Sequence, residues 1–112
     1  MEKIEATLDL TGCGYLGELH RRIREAMDFP AHYGGNWDAF RDCLRGDCPV
    51  THLRILGEEC MPKGLFDQLE TMHSILRAHK ESCGPYAGFE FEIIRKKYRL
   101  FSGEQAVSII KL

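Results

Sequence analysis

Hydrophobic and polar residues alternate over residues 3–10, Lys-Ile-Glu-Ala-Thr-Leu-Asp-Leu, with Ile4, Ala6, Leu8 and Leu10 on one side and Glu5, Thr7 and Asp9 on the other. This period of two predicts a strand buried on one face. After Thr11 to Gly14 the period changes. Leu16, Leu19, Ile23 and Met27 recur at helical spacing among Glu18, Arg21, Arg22 and Glu25, which predicts a helix over 15–28 ended by Pro30. A second, shorter helix is expected over 37–45, with Asn36 as its N-cap and Gly46 as a left-handed C-cap. Residues 50–56, Val-Thr-His-Leu-Arg-Ile-Leu, read as a second strand closed by Gly57. From Lys63 to Ser82 the stripe Leu65, Leu69, Met72, Ile75 and Leu76 predicts one long or two short helices, stopped by Cys83-Gly84-Pro85. Phe89 to Ile94 alternates again as a third strand. Residues 95–112 carry Arg95-Lys96-Lys97, a turn at Ser102-Gly103-Glu104 and the apolar end Val107, Ile109, Ile110 and Leu112, and are expected to add a terminal strand or hairpin.

Helices between the strand pairs imply parallel strands joined by right-handed crossovers. Parallel strands covered on both faces read as unbroken apolar runs, whereas strands one and three alternate, so helices are expected on one face only. The expected fold is therefore α/β: a two-layer arrangement with a small three-stranded parallel sheet, helices on one face, and an extra C-terminal strand or hairpin. At 112 residues the chain is expected to form a single domain, 1–112, that buries a core without disulfides or metal, with 95–112 as a C-terminal extension.

The chemistry concentrates in residues 29–46, Phe-Pro-Ala-His-Tyr-Gly-Gly-Asn-Trp-Asp-Ala-Phe-Arg-Asp-Cys-Leu-Arg-Gly. Pro30 and Gly34-Gly35 punctuate the chain before the short helix. Within that helix Trp37, Phe40 and Leu44 share one face, expected to be core, while Asp38, Arg41, Asp42 and Arg45 share another, expected to be displayed to solvent. Carboxylates four residues apart repel slightly, and surface charges of this kind are more often solvated helix-face residues, Asp38 pairing with Arg41 or Arg45.

This stretch resembles the signature of the barstar family, intracellular protein inhibitors of secreted ribonucleases. The matching residues are Tyr33, Gly34, Asn36, Trp37, Asp38, Ala39, Phe40, Asp42, Cys43, Leu44 and Gly46, and the element order over 2–94 fits as well. The resemblance implies the two-layer fold and an inhibitor that is not an enzyme. It implies that segment 33–46 enters a basic ribonuclease active site, where carboxylates stand in for the phosphate oxygens that Arg, Lys and His groups hold. Asp42 would be the central anion and Asp38 its support, with Asn36, Tyr33 and Gly46 shaping the contact edge and His32 at an aromatic contact position. The chain departs from the best-known family member at Arg41, Arg45 and Asp47, where that member has apolar or aromatic groups. In place of a supporting acid on the later helix stand Ala78 and His79, with Glu81 beside them. These departures imply a different partner enzyme.

Composition narrows the alternatives. A formal charge of −2 excludes a strong general nucleic-acid binder but allows a local acidic patch that meets a basic protein. Five cysteines without a Cys-x-x-Cys pair, and a start Met1-Glu2-Lys3-Ile4 without a basic-then-apolar leader, point to a reducing cytoplasm. No apolar run reaches the roughly 18 residues that span a bilayer. Cys43 is expected to be a packed thiol and Trp37 a core residue. The five histidines lack ligand spacing, since even His73 and His79 lie six apart, so no metal is expected. Gly12, Gly14 and Gly17 lack the Lys of a phosphate loop, so no cofactor is expected either. The expected protein is a monomer when free, with a ribonuclease as partner and no direct nucleic acid or membrane contact. Two readings stay beside it: an adaptor of the same fold for another basic protein, which Arg41 and Arg45 make credible, and a small hydrolase or transferase using Cys43 and His32.

Overall fold

The computed structural model describes residues 4–46, 48–98 and 105–111, with side chains up to residue 94 except those of 84–87. Strand β1 (Glu5–Asp9) leads to helix α1 (Leu16–Met27) and helix α2 (Trp37–Arg45), then strand β2 (His52–Leu56). Two short 3-10 turns, Glu58–Cys60 and Lys63–Leu65, precede helix α3 (Phe66–Ala87), strand β3 (Glu90–Tyr98) and strand β4 (Gln105–Lys111). The sheet order is β1-β2-β3-β4, with the first three strands parallel and β4 antiparallel to β3. The expected parallel sheet and extra C-terminal strand are both present. Asp47, Lys3, Leu112 and the turn expected at Ser102-Gly103-Glu104 lie outside the described residues.

The register explains the alternation in the sequence. Ala6, Leu53 and Phe91 align across the sheet, as do Leu8, Ile55 and Ile93, and these face the helices. The opposite face aligns Glu5 with His52 and Glu90, and Thr7 with Arg54 and Glu92. There the His52 Nε2 lies 2.6 Å from a Glu92 carboxylate oxygen. A parallel sheet with one wet face must alternate, because only its inner side chains leave water. The core adds Leu19, Ile23 and Met27 of α1, Phe40 and Leu44 of α2, and Met72, Ile75 and Leu76 of α3. A polar pair is buried with it: the His73 Nε2 lies 2.6 Å from a carboxylate oxygen of Glu58, which is 2% exposed.

Three boundaries and one cap differ from expectation. Helix α1 stops at Met27, before Pro30, because Asp28 takes the left-handed conformation at φ 56° and caps the Arg24 carbonyl. Gly46 does cap α2, its N–H donating to the Asp42 carbonyl at 3.0 Å, but at φ −85° it is not left-handed. Helix α3 runs through Cys83-Gly84-Pro85 and ends at Gly88, which supplies the left-handed cap at φ 58°. Extending an established helix costs far less than starting one, so the breakers near its end do not stop it. Strand β3 continues to Tyr98 through Arg95-Lys96-Lys97, since β4 supplies its backbone partners, Arg95 opposite Ser108 and Tyr98 opposite Gln105. Gly57, expected to close β2, does so at φ 80° where a Cβ would lie 2.4 Å from the Thr11 backbone nitrogen. Among the described residues no helix is long and apolar enough to cross a membrane.

Candidate functional site

Asn36 makes α2 start where it does. Its side-chain oxygen accepts the Ala39 N–H at 2.8 Å, which satisfies one of the donors a helix N-terminus leaves unpaired. Gly35 precedes it at φ 67°, a conformation glycine adopts without strain. The helix then divides as its spacing requires. Phe40 and Leu44 are buried at 1% and 3% exposure, and Asp38, Arg41, Asp42 and Arg45 are all exposed. Trp37 is half-buried against the core. Its ring edge meets Phe40 at 5.5 Å between centroids, and its indole N–H donates to Gln68 Oε1 of α3 at 2.7 Å.

The loop into α2 rests on α1 through His20. Its Nδ1 lies 2.7 Å from the Tyr33 hydroxyl, which lies 3.4 Å from the Asn36 carbonyl, and its ring packs on Trp37 at 4.4 Å. Both bonds form when Nδ1–H donates to the Tyr33 oxygen and the Tyr33 O–H donates to Asn36. This leaves the buried Nε2 as an acceptor without a partner among the described residues. Burial lowers the His20 pKa and raises that of the Tyr33 phenol. Phe29 closes the set, 5.3 Å from Tyr33 and 6.0 Å from Phe40. No motif in the sequence marks His20 as a supporting residue. Its position next to Leu19 and three before Ile23, on the buried stripe of α1, was the available signal.

On the displayed side, Asp42 borders a cleft of about 450 Å³ whose other walls include Phe29, Pro30, His32, Cys43 and Gly46. Asp42 has no ion pair among the described residues. Asp38 is 94% exposed and pairs with Arg41 at 3.6 Å, a contact that contributes little at such exposure. Cys43 and His32 line the same cleft, yet the Cys43 thiol is pushed up by burial and then by the Asp42 charge, the opposite of what activates a nucleophile. All five cysteines are unpaired.

A second, smaller cleft of about 60 Å³ lies where α2 packs beside α3, bordered by Arg41, Arg45, Ala78, His79 and Ser82. Thus Ala78 and His79, rather than Glu81, are the residues α3 places beside the display face. His79 packs edge-on against Phe89 at 4.7 Å, and burial, then the Arg45 charge, lowers its pKa. Among the described residues no group of three His, Cys, Asp or Glu side chains is arranged to hold a metal ion.

Residues 4–95 match the protein family described as Barstar (barnase inhibitor). The chain is also similar to a Bacillus subtilis (strain 168) protein named "Putative ribonuclease inhibitor YrdF", with 49% identity over 35 residues. That match covers 30% of this chain and 38% of the relative's length.

Proposed function

This chain belongs to the barstar family, and from that membership we propose that it inhibits a ribonuclease by docking segment 33–46 into the enzyme's basic active site. The observation that carries the reading is the placement of Asp42: an exposed carboxylate with no ion pair among the described residues, on a helix fixed by its Asn36 cap, at the border of the 450 Å³ cleft. The helix holds the backbone beneath such a carboxylate in place to receive an Arg or Lys from a phosphate site, so no segment has to be ordered on binding. Asp38 adds charge of the same sign one turn earlier. Opposite charge across the two surfaces speeds encounter. Tyr33, Asn36 and Gly46 shape the contact edge with His32 beside them, Tyr33 being held from beneath by His20. Arg41 and Arg45 adjust the fit to one enzyme against others.

Inhibition requires no chemistry from the protein itself, and the raised Cys43 pKa agrees with a stoichiometric binder. The test is titration of secreted bacterial ribonucleases with the purified protein, followed by RNA cleavage. Stoichiometric loss of activity that Asp42→Ala weakens is the expected result. Capture of a basic protein without nuclease activity would favour the adaptor reading, to which Arg41 and Arg45 lend weight by giving the display face mixed charge.

A further inference from the structure

The cleft between α2 and α3 has chemistry of its own. Two guanidinium groups, Arg41 and Arg45, an imidazole, His79, and a hydroxyl, Ser82, surround it, with Leu44 and Ile75 in its walls and no carboxylate among them. Arg41 is engaged by Asp38 only at 3.6 Å in an exposed pair, and Arg45 has no carboxylate partner among the described residues. A protein of formal charge −2 thus gathers positive charge at one opening beside its displayed acids.

We propose that this cleft is an anion subsite that takes one carboxylate side chain of the partner protein and so selects which ribonuclease is bound. The inference rests on the reading of α2 as the inhibitory helix. Size limits the ligand: about 60 Å³ holds a few heavy atoms, enough for one small anionic group such as a carboxylate. Geometry sets the class as an oxyanion, because an arginine presents a planar fork that matches the oxygens of a carboxylate or a phosphate. The surroundings choose the source. Asp42 is adjacent to Arg41 in sequence and Asp38 pairs with it, so a polyanion such as RNA would meet two carboxylates as it approached. An acidic side chain isolated on an otherwise basic protein surface would meet its complement at both helical turns. An enzyme with Lys or Arg at that place would be repelled by Arg41 and Arg45, which makes the subsite a device for discrimination.

The first arm of the test needs no ribonuclease. Acetate is titrated into the free protein and the His79 imidazole resonances are followed by NMR. The wild type should show a saturable shift and a rise in the His79 protonation midpoint as the anion offsets the Arg45 charge, and both should vanish in Arg41→Gln/Arg45→Gln. No saturable shift, or the same shift in the variant, overturns the subsite. In the second arm, against a ribonuclease that the wild type inhibits, Arg45→Glu should raise Ki about tenfold or more with the thermal melt unchanged. An unchanged Ki beside a large loss in Asp42→Ala overturns the subsite alone, whereas unchanged inhibition in both variants overturns the placement of α2 as well. Binding of the wild type to a single-stranded RNA oligonucleotide that is lost in Arg41→Gln/Arg45→Gln would assign the cleft to phosphate and overturn the carboxylate assignment.

Discussion

His20 of α1 and Tyr33 of the following loop meet at 2.7 Å, an imidazole nitrogen against a phenol oxygen, thirteen residues apart in sequence. The contact puts a buried polar pair beneath the segment that carries the displayed acids. The loop's direction is thereby fixed by a hydrogen bond as well as by the packing of Phe29 and Trp37. Removing the Tyr33 hydroxyl deprives His20 of the one partner it has among the described residues. Tyr33→Phe is therefore expected to cost about 1–2 kcal/mol of stability in urea unfolding, the cost of orphaning a buried polar group. Full retention of stability would mean that the ring packing alone holds the loop.

Acid should weaken the fold through the histidines buried neutral. Burial lowers the folded-state pKa of His20, and burial with Arg45 lowers that of His79, while both return to about 6.5 when the chain unfolds. Between the folded value and 6.5 the unfolded chain binds more protons, so stability rises with pH there. The contribution is complete above about 6.5 and is lost as pH falls toward the folded values, with a slope of at most about 1.4 kcal/mol per pH unit for each group. Urea unfolding from pH 7.5 to 5.5, with an NMR titration of both rings, checks it. A His20 midpoint above 6.5 would contradict the expectation.

Asp42→Ala should separate binding from folding. The side chain is exposed and no hydrogen bond or ion pair holds it among the described residues, so stability should change by no more than about 0.5 kcal/mol. Affinity for the cognate ribonuclease should fall by at least about 2 kcal/mol, the scale of an interface hot spot. Calorimetric titration with parallel thermal melts measures both quantities. Binding within a few tenths of a kcal/mol of wild type would remove Asp42 from its central role.

Trp37 should behave in the opposite way. It is half-buried, packs on His20 and Phe40, and donates to Gln68. Trp37→Ala should cost about 3 kcal/mol of stability, near the low end for large aromatic truncations because part of the ring already meets water. Trp37→Phe should cost about 1 kcal/mol, through the lost N–H bond to Gln68. A variant that melts like wild type but no longer binds its partner would make Trp37 an interface anchor.

Gly57→Ala should be the most damaging small change. The residue holds φ at 80°, and an added Cβ would lie 2.4 Å from the Thr11 backbone nitrogen and 2.9 Å from the Leu10 carbonyl carbon. Main chain cannot yield there without breaking the Leu10 N–H bond to the Leu56 carbonyl, 2.7 Å long. A loss of about 3 kcal/mol or more is expected, read from the shift of the urea midpoint.

Period and capping chemistry made much of this protein legible from its residues. The alternation of 3–10 and 89–94 marked two half-buried strands, and the i, i+3, i+7 spacing of Trp37, Phe40 and Leu44 marked the division of α2, because burial on one face writes itself into local order. Asn36 announced its helix for the same reason. What depended on distant partners was not legible. Nothing local ties His20 to Tyr33 or Trp37 to Gln68, and the extension of β3 through three basic residues depends on a strand that begins at Gln105. Backbone handedness was only half legible: glycine at 46 invited a left-handed cap, yet Asp28 adopts that conformation and Gly46 does not. The small cleft by Arg45 and His79 joins side chains more than thirty residues apart on two helices, so no motif could have carried it.

Helices α1 and α2, and the loop between them, all lie within the single crossover that separates β1 from β2. Pairing Glu5 with His52 closes a loop of more than forty residues before any backbone bond of that ladder repays the lost freedom. The displayed acids therefore cannot be cut out as a working peptide, because α2 alone, at nine residues, is too short to persist in water. Whatever grips Asp42 grips an element whose order belongs to the whole sheet, and an occupied partner would slow the unzipping of β1 from β2 as well as hold the helix.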